Sequence, residues 1–127
     1  MGLILTTAAR NAACNAVVDL VDVGSGTASI TMFDASYVYD LVTINLPNPS
    51  FGASSAGVAT ASTLPLTGTG ITAGTLAVYI VYDRSNAQMW GGTIGIAGSG
   101  ADMIVDSVSI AVGQVISITS WTHTQPA

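Results

Sequence analysis

The sequence predicts a mainly β domain: an antiparallel β-sandwich of jelly-roll-like form, with about seven strands and one N-terminal α-helix. Two observations lead to this prediction. The spacing of apolar residues changes from the helical period of 3.6 to the strand period of 2 after Gly24-Ser25-Gly26. From there onward, turn residues recur roughly every 8 to 12 positions, as in sandwiches and small barrels. A length of 127 residues suits one core, so a single domain is expected over 1–127.

The helix is expected over about residues 6–23. Thr6 or Thr7 can cap it by accepting from an early backbone N–H, and Ala8–Ala16 is rich in the best helix former. Gly24-Ser25-Gly26 supplies a left-handed stop. The only helix that the sequence predicts is therefore followed directly by the strands.

Seven segments alternate apolar and polar residues or carry β-branched runs, and each is predicted to be a strand. Leu76–Tyr82 is apolar on both faces, which predicts a central position in the sheet. Thr67-Gly68-Thr69-Gly70 is predicted to be a turn. The predicted strands are Ala28–Met32, Tyr37–Leu46, Val58–Leu64, Leu76–Tyr82, Gln88–Ile96, Met103–Ile110 and Val115–Thr124.

The chain is poor in charge, and this excludes several classes of function. Charged residues make up 7% of it, against roughly 25% in an average soluble domain. Lys and Glu are absent, the basic residues are Arg10 and Arg84, and the net charge is -5. Nucleic acid is not an expected partner, because binding its backbone requires several basic residues. A membrane is not expected either, since no apolar run reaches the 18 residues of a spanning helix.

Three patterns resemble ligand motifs but lack the context that the chemistry needs. Gly68–Ala73 matches G-x-G-x-x-G/A, but Pro65 precedes it and a strand follows, so a glycine-rich turn is favoured over a dinucleotide site. Asp102 and Asp106 enclose apolar residues where a calcium loop needs oxygen ligands. His123 could act as the base of a serine nucleophile, but the sequence contains no G-x-S-x-G motif that would place such a serine. The sequence therefore predicts no enzyme, no cofactor and no metal.

Two further features remain open between a structural and a binding role. Cys14 is alone, which excludes an internal disulfide and favours a small buried apolar residue or a neutral surface thiol. The Trp and Tyr residues could form a sugar-binding platform, although core or interface packing is the commoner use of these residue types. They are Trp90, Trp121, Tyr37, Tyr39, Tyr79 and Tyr82.

Five segments resemble a family of small virion proteins of tailed bacteriophages and prophages, and together they span nearly the whole chain. The family's capsid decoration, or cement, proteins sit on the outer head as oligomers, and the resemblance implies the same for this chain. It carries over no catalytic residue. The segments are Leu5–Ala12, Val17–Asp22, Pro49–Ala53, Gly98–Met103 and Ile118–Pro126.

The expected function is accordingly that of a head decoration subunit in a virion assembled in the bacterial cytoplasm. Its expected partners are the major capsid protein or other virion proteins, and further copies of itself in a homotrimer. Two alternatives stay open, a neck, tail or baseplate component and a carbohydrate-binding sandwich module. The residues expected at interfaces are Leu3, Ile4, Leu5, Arg10, Arg84, Trp90, Trp121 and His123.

Overall fold

The structure, a computed structural model, describes residues 6–36, 40–47, 49–62 and 64–124. It is mainly β with an N-terminal helix, as predicted. Helix α1 covers Thr7–Asp19 and continues into a turn of 3-10 helix, Leu20–Asp22. The Thr6 side chain accepts from the Ala9 N–H at 3.2 Å, and Gly24 adopts the left-handed φ of 112° that ends the segment. A helix is therefore present where the sequence predicts one, but its α-helical part ends at Asp19, before the predicted end near residue 23.

Ten strands are present in the described part of the chain. Their bounds are β1 Ser29–Phe33, β2 Asp40–Asn45, β3 Val58–Thr60, β4 Leu66–Thr69, β5 Gly74–Thr75, β6 Val78–Tyr82, β7 Gln88–Gly95, β8 Met103–Val105, β9 Ser109–Ile110 and β10 Val115–Thr124.

The main sheet has the strand order β2-β1-β6-β7-β8-β10-β3, and β4 also pairs with β10. β5 and β9 form a separate two-stranded ladder. The described pairs are antiparallel except for β7 and β8, whose short parallel register joins Ile94 to Met103. The central position predicted for the Leu76–Tyr82 segment is confirmed, because β6 lies between β1 and β7.

The sheet curls until its two ends meet, so that its halves enclose one core like the layers of a sandwich. Val42 of β2 forms a bridge with Gly70, and the Ile71 N–H donates to the Leu41 carbonyl at 2.8 Å. Gly68 permits this approach, since a Cβ there would lie 2.6 Å from Cγ1 of Ile44. The turn predicted at residues 67–70 was wrong, because this segment pairs along β10 and forms β4.

The core fills the space inside the curled sheet. Its larger members are fully buried and come from both halves of the sheet and from α1. Buried aliphatic and aromatic area of this kind is the main stabilising contribution to a small domain. The largest fully buried side chains include Trp121, Tyr79, Ile30, Met32, Leu41, Met103, Ile116, Ile118 and Val18.

Helix α1 packs beside β3 and the end of β10. Cys14 is fully buried there, and its thiol lies 3.5 Å from the His123 carbonyl oxygen. It is therefore a small buried residue and not a surface thiol. On the polar side of the helix, Asn15 Oδ1 accepts from the Ser54 N–H and Asn11 Oδ1 from the Gly57 N–H, both at 2.8 Å. These contacts hold the loop before β3 and so fix the end of β10 that carries His123.

Candidate functional site

A small cleft opens at the end of β10, and we call it the aromatic cleft. Its volume is about 250 Å³. Its walls come from strands that are neighbours in the sheet, because β6 pairs with β7, β7 with β8, and β8 with β10. The residues that line it are Tyr79, Trp90, Gly91, Asp102, Thr122, His123 and Thr124.

Five rings form a cluster behind this cleft. Trp121 has no exposed surface and lies at its centre, with ring centroids 4.5 Å from Phe51, 5.6 Å from Tyr79 and 6.4 Å from Trp90. Trp90 is half-buried and also contacts the imidazole of His123 at 4.9 Å. Tilted and edge-on arrangements at such distances are favoured by the ring quadrupoles. Three of the five rings, those of Tyr79, Trp90 and His123, therefore line the cleft, and the ring of Trp121 packs behind them.

Two consecutive glycines in β7 make room for the cleft. A Cβ on Gly91 would lie 2.8 Å from the Tyr79 carbonyl oxygen. A Cβ on Gly92 would lie 2.7 Å from the Tyr79 hydroxyl and 2.8 Å from Oδ2 of Asp102. Glycine in a strand interior often marks such a close approach. Here it allows a phenol and a carboxylate to come near each other over the strand.

Asp102 is the carboxylate at the mouth of the cleft. Its Oδ2 accepts from the Thr93 N–H at 3.2 Å and faces the Thr93 hydroxyl at 3.3 Å, while its own N–H donates to that hydroxyl oxygen at 3.2 Å. The side chain is exposed, so it keeps further acceptor capacity toward solvent. This reciprocal pair holds the carboxylate in place just before β8.

Three buried nitrogen atoms of the ring cluster have no hydrogen-bond partner within the described residues. They are Nε1 of Trp90, Nε1 of Trp121 and Nε2 of His123. A buried polar atom without a partner is destabilising by about 1–3 kcal/mol, and most such atoms in native proteins are paired. Trp90 and His123 line the cleft, whereas Trp121 lies behind it in the core, so two of these nitrogen atoms belong to the wall of the cleft.

Burial sets the protonation of the two titratable rings. It raises the pKa of Tyr79 above 10.0, although the nearby indoles of Trp121 and Trp90 act in the opposite sense. It lowers the pKa of His123 below 6.5, and the negative charge of Asp102 offsets only part of this effect. Both rings are therefore neutral at pH 7.

His123 is expected to make the protein less stable as the pH falls through the ordinary histidine range. In the unfolded chain its pKa is near 6.5, so the unfolded state takes up the proton first, and the free energy of unfolding declines below that pH. Thermal unfolding from about pH 8 to about pH 5 measures this, above the range where aspartates ordinarily titrate, near 3.9. His123→Gln should flatten the profile over this interval, and equal slopes for both proteins would contradict the assignment.

The sequence-predicted interface residues lie in different places. Trp90 and His123 line the cleft, whereas Trp121 is in the core rather than at a surface contact, because Phe51, Tyr79 and Trp90 surround it. The other candidates lie away from the cleft or cannot be placed. Leu3, Ile4 and Leu5, like Tyr37 and Tyr39, are outside the described residues.

The two arginines are used for contacts within the chain. The Arg84 guanidinium donates to the Gly26 carbonyl at 3.0 Å and lies 3.9 Å from Asp22, which itself accepts from the Ser50 hydroxyl at 2.8 Å. The Arg10 guanidinium lies against Gly57, within 2.9 Å of where a Cβ would be. Arg84 thus ties the end of the helical segment to the turn after β6.

Sequence reasoning did not identify Asp102 as part of a cleft with Tyr79. Asp102 was considered only with Asp106, but Asp106 accepts from the Ser117 N–H at 3.0 Å on another part of β10. No group of three or more metal-ligating side chains occurs among the described residues. The available signal was Gly91-Gly92 following Trp90 inside a predicted strand, which indicates room beside an aromatic side chain.

A second surface, which we call the apolar end, lies at the start of β10 and is formed by Ile71, Val112 and Val115. Their exposed fractions are 57%, 70% and 62%. Backbone hydrogen bonds of 2.8 Å from Gly70 to Gln114 and from Gly113 to Gly70 hold the two loops side by side. Three large aliphatic side chains in contact with solvent at one place form a patch of the kind used for association.

Comparisons with known proteins do not place the chain in a family. No family model, no curated protein and no solved structure matches it. In the described ranges, no helix is long and apolar enough to span a lipid bilayer.

Proposed function

We propose that this protein is a structural subunit of a virion, a head decoration subunit that associates with itself and with the major capsid protein. The observation that carries the proposal is the apolar end, where Ile71, Val112 and Val115 are each more than half exposed. Exposed aliphatic side chains gain free energy when a partner covers them. The resemblance of the sequence to small virion proteins supports the particular assembly.

The charge distribution supports a second copy of the chain as the first partner of the apolar end. Neither segment that forms it, 67–73 or 111–115, contains a charged residue. Two copies with a net charge of -5 each repel one another overall, and contact through an uncharged surface keeps their aspartates apart. The low charge of the chain therefore suits repeated subunits at close distance.

Attachment to a capsid adds the effect of linked contacts. A trimer that places three weak contacts on one lattice position binds far more tightly than a single subunit, because the later contacts form at high effective concentration. A decoration subunit consequently needs no deep pocket for its capsid contact. Broad uncharged surfaces of Thr, Ser and Gly are sufficient.

The double substitution Val112→Ser and Val115→Ser is expected to shift the protein from oligomer to monomer. Burying one valine side chain contributes about 1.5–3 kcal/mol, so losing two should raise the dissociation constant tenfold or more. Size-exclusion chromatography with light scattering over a concentration series measures this. Ile96→Ser is the matched control, since Ile96 is 51% exposed in the turn after β7 and should leave association unchanged.

The same proteins test the location in the particle. Purified chain mixed with empty phage heads should bind until a fixed number of sites is filled, and the double variant should bind more weakly. Labelling of necks, tails or baseplates in micrographs would favour the alternative virion component. A wild-type protein that stays monomeric at every concentration and binds no particle would contradict the proposal.

A further inference from the structure

The geometry points to a second, independent function: the aromatic cleft binds a single neutral sugar ring of the pyranose type. The inference starts from Nε1 of Trp90 and Nε2 of His123, which have no hydrogen-bond partner among the described residues and belong to two residues that line the cleft. The indole N–H can only donate, so whatever occupies the cleft must present acceptor atoms.

Asp102 adds the complementary requirement. Its exposed carboxylate at the mouth of the cleft can only accept when ionised, so the ligand must also present donors. A hydroxyl group is both donor and acceptor, and a ring that carries several hydroxyls meets both demands at once. The neutral imidazole of His123 can take either role toward the same ligand.

The walls and the size of the cleft narrow the ligand further. Trp90 is half-buried at the wall, and Tyr79 contributes a second ring, so the occupant needs an apolar face to pack on them. A volume of about 250 Å³ is smaller than the 300–1,000 Å³ of a typical drug-sized site. One sugar ring has an apolar C–H face and suits this space, whereas a longer chain would extend into solvent.

Charged ligands fit less well. An anion would meet the carboxylate of Asp102 on a protein with a net charge of -5. A quaternary ammonium ion would suit the rings and the carboxylate, but it has no acceptor for the indole N–H of Trp90. The neutral polyhydroxylated ring is the class that satisfies all the groups present.

This site is separate from the surface of the proposed assembly. Val115 of the apolar end and Thr124 of the cleft lie nine positions apart on β10, up to about 30 Å along a strand. Oligomerisation and sugar binding can therefore be measured independently, and either can fail without the other.

Nuclear magnetic resonance offers a direct test, because the chain has two tryptophans and hence two indole N–H signals. Titration with glucose, galactose, mannose and N-acetylglucosamine should shift the Trp90 signal for at least one sugar, with saturation, and should shift the signal of the core residue Trp121 less. We expect a Kd of about a millimolar, the range for a ligand of about a dozen non-hydrogen atoms. Tetramethylammonium chloride and inorganic phosphate serve as charged probes.

Two substitutions and one control assign the binding to the cleft. Trp90→Phe keeps an aromatic ring at this position but removes the indole N–H donor, and Asp102→Asn removes the anionic acceptor. Each substitution should weaken the affinity for the sugar by roughly three- to tenfold. Asp106→Asn is matched to the latter, since Asp106 also accepts from a backbone N–H but lies away from the cleft, and it should bind like wild type. The inference is overturned if no sugar moves the Trp90 signal, if the ammonium probe alone does so, or if both cleft variants bind with unchanged affinity.

Discussion

Trp121→Ala is expected to lower the free energy of unfolding by about 3–5 kcal/mol, the range for truncating a large buried aromatic residue. Trp121 has no exposed surface, and its ring contacts Phe51, Tyr79 and Trp90. Removing the indole would leave a cavity between β8, β10 and the loop that carries Phe51. A marginally stable domain of this size loses much of its total stability by such a change.

Urea unfolding followed by circular dichroism measures this loss, and two variants separate its causes. Trp121→Phe retains most of the ring contacts and should have a clearly smaller effect than the alanine variant. Trp90→Ala truncates the same residue type at the half-buried wall of the cleft. It should lower the free energy of unfolding by less than Trp121→Ala does. A decrease below about 1 kcal/mol for Trp121→Ala would mean that this ring does not organise the core.

The sequence was sufficient to predict the helix and most strands because their signals are local. Thr6 caps α1, Gly24 follows the 3-10 turn with a left-handed φ, and the alternation in Val115–Thr124 matches β10 in full. The predicted strand Met103–Ile110 is in fact two short strands, β8 and β9, which pair with different partners. Local alternation does not record which neighbour a strand will have.

The cleft and the closure of the sheet were not predictable for the same reason. Tyr79 and Asp102 are 23 positions apart in the sequence, and only the order β6-β7-β8 brings them over Gly92. His123 enters the site through the pairing of β10 with β8. Interactions over such separations depend on topology, which a single sequence shows only through composition, as in the Gly91-Gly92 pair.

Gly70→Ala is expected to be destabilising by about 1–3 kcal/mol or more, because it overpacks the point at which the sheet closes. Its Cβ would overlap the Ala111 carbonyl oxygen and lie 2.5 Å from Cγ2 of Ile110. The Ala111 carbonyl oxygen is a backbone atom and cannot avoid the new methyl group by a change of rotamer, so β4 would have to move. That movement would weaken the Gly70–Val42 bridge and the hydrogen bond from Ile71 to Leu41.

Amide hydrogen exchange distinguishes this local opening from a general loss of stability. The Ile71 N–H should exchange faster in Gly70→Ala by more than the change in overall unfolding accounts for, since its acceptor lies across the closure. Gly52→Ala is the matched control, because the nearest atom to a Cβ there is the Thr60 carbonyl oxygen at 3.7 Å, an ordinary contact. If both alanine variants were equally stable, with equal protection at Ile71, the two ends of the sheet would not be held together through Gly70.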